Sequence, residues 1–219
     1  RHSLAVPSEA LSEGRGDGGP EKGAASPWGR PATWTYFDMA ATKDWQAKWI
    51  TEGSSSPWLR QSVELKDVPT RAYIYVNALG YFQLFINGKR VGADEFAPHV
   101  GQYNKRTFCI TYDVTQYLKK GKNAIGFWLG SGWSQGGAGV KTAPCVRAQL
   151  EMTDARGEMT TVVTDASWRA KASSMAYQGQ WKWNKFGGEA HTAAHDQPDW
   201  VDADFDDSAW PLAKLAKVA

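Results

Sequence analysis

Cysteine is nearly absent. The 219 residues hold only Cys109 and Cys145, with no Cys-x-x-Cys spacing. That excludes a zinc cluster built from thiols and a thioredoxin-type redox motif, and leaves one disulfide or two free thiols equally open. An excess of charge of one sign is also missing. Lys and Arg number 25 against 23 Asp and Glu, a net of +2, so no nucleic-acid or anionic-membrane partner is expected. No apolar run is long enough to span a bilayer. The first residue is Arg1 and no leader pattern follows it, as expected of a processed or excised chain. There is no Gly-x-Ser-x-Gly nucleophile turn. The glycine-rich loop at 130–139, GSGWSQGGAG, follows a strand without opening a helix, so it does not read as a phosphate cradle. No helical pattern is long enough to anchor an α/β fold.

What the chain does have is tryptophan and strand patterning. Twelve Trp is a high count for this length; indoles at this density fill a β core or offer flat faces on which sugar rings stack, and the core accounts for most of them. The stretch 77–92, NALGYFQLFINGKRVG, alternates Phe82, Leu84 and Ile86 on one face with Tyr81, Gln83 and Phe85 on the other. It ends in Asn87-Gly88, a two-residue turn that needs positive φ at both positions, and returns through Lys89-Arg90-Val91. Leu59, Gln61, Val63 and Leu65 alternate before it, as do Ala72, Ile74, Val76 and Ala78. Phe108, Ile110 and Tyr112 follow, then Asn123, Ile125, Phe127 and Leu129. A further hairpin spans 145–164 across Asp154-Ala155-Arg156-Gly157, and DASWRAKASS is expected to continue the same sheet. Many short strands separated by turn signals predict an all-β protein, an antiparallel β-sandwich of jelly-roll-like type. Residues 1–33 are rich in Gly, Pro, Ser and Glu with few large aliphatics, and read as an irregular arm or linker. The β-sandwich domain is expected over 34–219, with a single strand at 34–39.

Candidate chemistry is sparse. The carboxylates that a glycosidase would pair are Asp94, Glu95, Glu189, Asp204, Asp206 and Asp207. The run 202–207 reads as a solvated acidic turn that caps the segment after it. Glu189 comes directly after Gly187-Gly188, which permits close approach of the chain; it reads as a ligand contact or, more commonly, as a salt partner for Arg or Lys. His191 and His195 read as two solvent-facing imidazoles more readily than as a metal pair. A sugar site asks for aromatic platforms with nearby polar groups. Trp133 lies in the glycine-rich loop, and Trp181 and Trp183 share one face if their segment is extended. Trp183 reads equally as packing. The loop at 92–106 is long for a compact β domain, which points to a binding or packing role.

The motifs WQAKWI, ALGYFQLFINGKRVG, Tyr103, YDVTQYLKKGKNAIG, LGSGWSQG, DASW, GGEAHTA and DFDDSAW fall in the order seen in the N-terminal β-sandwich of bacterial α-L-rhamnosidases, which residues 44–212 resemble. The resemblance makes the hairpin at 81–91 a central strand pair and gives Trp45, Trp49, Trp168 and Trp210 structural places. TWTYFDMA resembles the closing strand of a fibronectin-like domain that precedes such sandwiches. The resemblance also implies an ancillary domain, because the family's catalytic machinery lies in a helical barrel further along. It implies an extracellular or periplasmic protein, a polysaccharide or oligosaccharide ligand containing rhamnose, and an adjacent catalytic domain as partner. The expected sugar contacts are Trp133, Trp181, Trp183, Glu189, Asn77 and Tyr103. Rhamnose-binding members hold the sugar through calcium, with ligands at places occupied here by Ala78-Leu79-Gly80 and Gly130-Ser131-Gly132. The calcium ligand pattern is therefore not matched, and Asn77 supplies one oxygen where six or more are needed. The rival expectation is a structural spacer that packs a Trp-rich face on the catalytic barrel; a catalytic fragment is the third.

Overall fold

The computed structural model describes residues 45–103, 105–135, 142–179 and 187–218. Contacts divide the chain after Asp44, and the second unit, Trp45–Ala219, is the one described. The strand expected at 34–39 lies outside the described residues, as do Trp181 and Trp183. No α-helix occurs among the described residues.

Among the described residues, thirteen strands form three antiparallel sheets. The first sheet contains β1 (Ile50–Thr51), β3 (Arg71–Leu79), β6 (Cys109–Asp113), β8 (Cys145–Thr153), β9 (Met159–Val163) and β13 (Lys214–Leu215), ordered β13-β1-β8-β3-β6 with β9 also on β8. The second contains β2 (Pro57–Leu65), β4 (Tyr81–Ile86), β5 (Lys89–Val91), β7 (Gly121–Gly130) and β10 (Arg169–Ala172), ordered β10-β2-β7-β4-β5. A hairpin of β11 (Met175–Tyr177) and β12 (Glu189–His191) stands apart. The inner faces pack as the alternation predicts. Ala72, Ile74, Val76, Ala78, Ala148 and Leu150 meet Leu59, Phe82, Leu84, Ile86, Ile125, Phe127 and Leu129 in one core, so the protein is a β-sandwich.

Gly80 makes the passage between sheets. Its φ is +105°, and a Cβ there would run into the carbonyl oxygen of Gly130; only glycine fits both demands. Asn87 and Gly88 take φ of 50° and 79°, the primed turn expected of Asn-Gly. The Asn87 side chain does more than turn the chain. Its Nδ2 donates to Tyr117 O (2.9 Å) and Asn123 Oδ1 (2.8 Å), while its Oδ1 accepts from Ala124 N (2.9 Å). Asn123, fully buried, donates in turn to Lys119 O and Gly121 O and accepts from Lys119 N. Every polar atom of both amides is thus partnered, which lets Asn123 sit inside, and Asn87 half-buried beside it, without a desolvation loss.

Three expectations need correction. The 81–91 hairpin is peripheral, since β5 is an edge strand and β7 holds the middle of its sheet. The DASWRAKASS segment does not continue the sheet of β8 and β9; β10 pairs with β2 across the sandwich. The strand expected to carry Phe108, Ile110 and Tyr112 begins only at Cys109, and Phe108 is exposed. The two thiols are free. They flank β3 on opposite sides, Cys109 opposite Asn77 and Cys145 opposite Leu79. Two strand spacings put them roughly 10 Å apart, too far for a disulfide. Burial pushes Cys109 up to about 11 and Cys145 up to about 12.

Candidate functional site

The outer face of the second sheet, composed of Trp58, Arg60, Tyr81, Gln83, Phe85, Gly126 and Trp128 by register, is treated differently at its two ends. One end is covered by residues 200–210. Trp58 stacks on Trp200 (centroids 5.4 Å, 18°) and Trp210 (6.1 Å, 15°), and Phe85 meets Trp200 edge-on at 5.8 Å. Beneath them Arg60, wholly inaccessible to solvent, donates from Nη1 to Asp207 Oδ2 (2.7 Å) and Phe205 O (3.0 Å), and from Nη2 to Asp202 O (2.9 Å). Its burial lowers the guanidinium pKa, opposed by Asp207. The acidic run is therefore more than the solvated turn expected, because Asp207 anchors the covering segment to the sheet. Trp210 and Trp168 are buried, as expected of structural residues, while Trp45 and Trp49 are half-buried beneath the Arg147 guanidinium (4.4 and 5.2 Å from the ring centroids).

The other end of the same face stays open. It floors a groove of about 910 Å³, which Tyr81, Gln83 and Trp128 line together with Trp133, Tyr177 and Glu189. Local geometry sets each wall. A Cβ on Gly132 would stand 3.2 Å from Tyr81 N, so glycine lets the chain pass close over the Gly80 corner and deliver Trp133 in a 3-10 turn. The indole is 63% exposed. Tyr177 and Glu189 face each other across β11 and β12. Ser55 Oγ accepts from Tyr177 N (3.0 Å) and ties that hairpin to the sandwich. Trp128 is fixed by donating Nε1–H to Ser56 Oγ (2.9 Å). Glu95 also lines the groove, held by Arg90 Nη1 at 3.1 Å.

Of the expected sugar contacts, Trp133 and Glu189 come together here. Glu189 is exposed and has no ion-pair partner among the described residues. Asn77 does not line the groove. It lies on β3 in the first sheet, buried, and accepts a hydrogen bond from Thr107 Oγ1. Tyr103 does not line it either, though its phenol, pushed up mainly by burial, also feels the Tyr81 phenol. His191 Nε2 pairs with Asp196 Oδ1 at 2.8 Å. Sequence reasoning passed over Tyr81, Gln83 and Tyr177 as site residues. Only the outward-facing phase of 81–85 hinted at the first two.

The residues at the positions expected to bind calcium do not fit that ion. Ala78 and Leu79 are buried in the core, Gly80 and Gly130 meet backbone to backbone, and Ser131 Oγ donates to Ser55 O (3.3 Å). Asn77 is already engaged. This donor set falls well short of six oxygens. No group of three or more His, Cys, Asp and Glu placed to hold a metal occurs among the described residues.

A two-sheet sandwich with one half-covered outer face and an open aromatic groove defines an antiparallel β-sandwich domain. The family described as the alpha-L-rhamnosidase N-terminal domain matches residues 67–219, and the chain belongs to that family. An alpha-L-rhamnosidase of Formosa agariphila is 31% identical over 216 residues, covering 89% of this chain and 23% of its own length. The structure is similar to an alpha-L-rhamnosidase from Dictyoglumus thermophilum (TM-score 0.72, 28% identity, 81% of this chain and 22% of that one). It is also similar to a Streptomyces avermitilis alpha-L-rhamnosidase complexed with L-rhamnose (TM-score 0.67, 30% identity, 76% of this chain and 16% of that one). The chain thus spans about a quarter of the length of the curated relatives it matches.

Proposed function

We propose that this domain is a non-catalytic carbohydrate-binding module of an extracellular or periplasmic α-L-rhamnosidase-like protein, and that its groove takes a rhamnose-containing glycan. The observation that carries this reading is the exposed Trp133 indole lining one open groove with Tyr177 and Glu189. A flat apolar platform beside hydrogen-bonding groups matches a sugar ring, which offers C–H bonds on one face and hydroxyls at its rim. Gln83 and Ser131 add amide and hydroxyl groups able to donate and accept. The non-catalytic reading is supported by the two groove carboxylates. Glu95 is engaged by Arg90 and Glu189 stands in solvent, so neither occupies the water-excluded setting that general-acid chemistry uses.

The test is a glycan array and calorimetric titration of the chain with and without calcium. Binding in the micromolar-to-millimolar range, independent of calcium and weakened about three- to tenfold by Trp133→Ala, is expected from the loss of one aromatic platform. A chain that binds no glycan in either condition refutes the reading. The spacer reading is favoured instead by the loop at 92–108, which exposes Phe96 (71%), Val100 and Phe108, an apolar surface suited to packing on a neighbouring domain. Under that reading, a longer chain including the adjacent domain protects Phe96 and Phe108 from solvent, and the groove binds nothing.

A further inference from the structure

We propose that the groove discriminates among glycans by charge, accepting neutral sugars and repelling those that carry a carboxylate next to the bound ring; this rests on the sugar-binding reading above. Among the described residues that line the groove there is no Lys, Arg or His, and there are two carboxylates. Glu95 is compensated by Arg90, whose Nη1 lies 3.1 Å away and whose Nη2 donates to Asp94 O (2.7 Å). Glu189 has no such partner among the described residues. It therefore sets the sign of the charge that these residues present to the groove.

Its position gives that charge a purpose. Tyr177 and Glu189 are directly opposed in an antiparallel pair, so their side chains leave the same face with Cβ atoms about 4.5–5.5 Å apart. A ring stacked on Tyr177 brings its rim hydroxyls to the Glu189 carboxylate. An ionised carboxylate only accepts hydrogen bonds, and its two oxygens suit two neighbouring O–H donors of a diol. A uronate at that place offers acceptors to an acceptor. At about 5 Å and the dielectric of a solvent-open groove, the repulsion between the two anions corresponds to about a five- to tenfold loss of affinity.

The experiment uses the whole 219-residue chain and two probes that differ in charge and by one methyl group, a rhamnosyl-uronate disaccharide as its carboxylate and as its methyl ester, with L-rhamnose as the neutral reference. Titrated at about pH 7 and low ionic strength, the ester is expected to bind about five- to tenfold tighter than the acid. Glu189→Gln is expected to bring the two within about twofold, chiefly by strengthening the acid, and about 0.5 M salt is expected to narrow the gap in the parent chain. Equal affinities in the parent chain, or a gap that survives Glu189→Gln, overturn the charge inference while leaving sugar binding intact. Binding of none of the probes, L-rhamnose included, overturns the sugar-binding reading and this inference with it.

Discussion

Replacing Arg60 with Met removes a wholly buried side chain that ties the covering segment to the sheet, while the Arg169 guanidinium keeps its bond to Trp210 O (2.9 Å). The guanidinium makes three hydrogen bonds, to Asp207 Oδ2, Phe205 O and Asp202 O, and lies 5.2 Å from the Phe205 ring centroid. Met fills similar space and packs well against the neighbouring indoles, so the cost is not a cavity; it is the set of acceptors left behind. Stripping one partner from a buried ion pair costs about 3–5 kcal/mol. Two facts reduce that here. The Asp207 side chain is 20% exposed and can recover some water. Arg60 Nε is buried without an acceptor, so the parent arrangement is itself short of full compensation. The expected loss is therefore about 2–4 kcal/mol. With a urea slope of about 2 kcal/mol/M for a small domain, the unfolding midpoint falls by about 1–2 M. Trp fluorescence reads this transition, since Trp58, Trp200 and Trp210 stack beside the pair, and amide exchange at 199–210 is expected to accelerate first. Adding Asp207→Leu to Arg60→Met should recover part of the loss by removing the stranded carboxylate. A loss below about 1 kcal/mol for Arg60→Met would falsify this account, because it would mean the acceptors are already hydrated.

Gly126→Ala tests the same cover from the sheet side. The new methyl would lie 2.8 and 3.0 Å from two Trp200 ring carbons, which forces the indole off the sheet at a cost of about 1–3 kcal/mol, seen as a lowered midpoint and an altered Trp emission spectrum; an unchanged spectrum with unchanged stability contradicts the packing described. Alkaline pH should weaken the fold. Cys109 and Cys145 rise from 9.0 to about 11 and about 12, and Tyr75 and Tyr112 from 10.0 to about 12, mainly through burial. Groups with raised folded pKa hold protons that the unfolded chain releases, so their contribution is complete below about pH 9 and is lost as pH climbs through about 11–12. Urea midpoints at about pH 8 and about pH 10.5 check this; equal values refute it, and Cys109→Ala with Cys145→Ala should flatten the slope.

The inner face of the sandwich was legible residue by residue. Phe82, Leu84 and Ile86 alternate because one side of that strand meets an apolar layer and the other does not, and every one of them is buried as the period predicts. The Asn87-Gly88 turn was equally legible, since its dihedral demands are local. Sheet membership was not. β10 and β8 lie close in sequence yet belong to opposite sheets, and nothing in a period-2 pattern records which partner edge a strand finds. The glycine loop and Trp133 were readable as a candidate platform. Tyr177 was not, because it becomes a wall only when β11 pairs with β12 and Ser55 captures its amide.

The sequence by itself determined most strands of the sandwich, their inward faces and the turn at Asn87-Gly88, because these follow from side-chain period and backbone sterics within a few residues. Only the tertiary structure decided what happens on the outward face of the second sheet. There Arg60 reads as a solvent-side residue of an alternating strand, yet it is wholly buried because Trp200, Phe205, Asp207 and Trp210, far along the chain, close over it. The cover stops before Tyr81 and Gln83, and the groove exists because it stops there. Burial set by residues distant in the chain leaves no local period to read, so the candidate site could be seen only once the fold had brought its walls together.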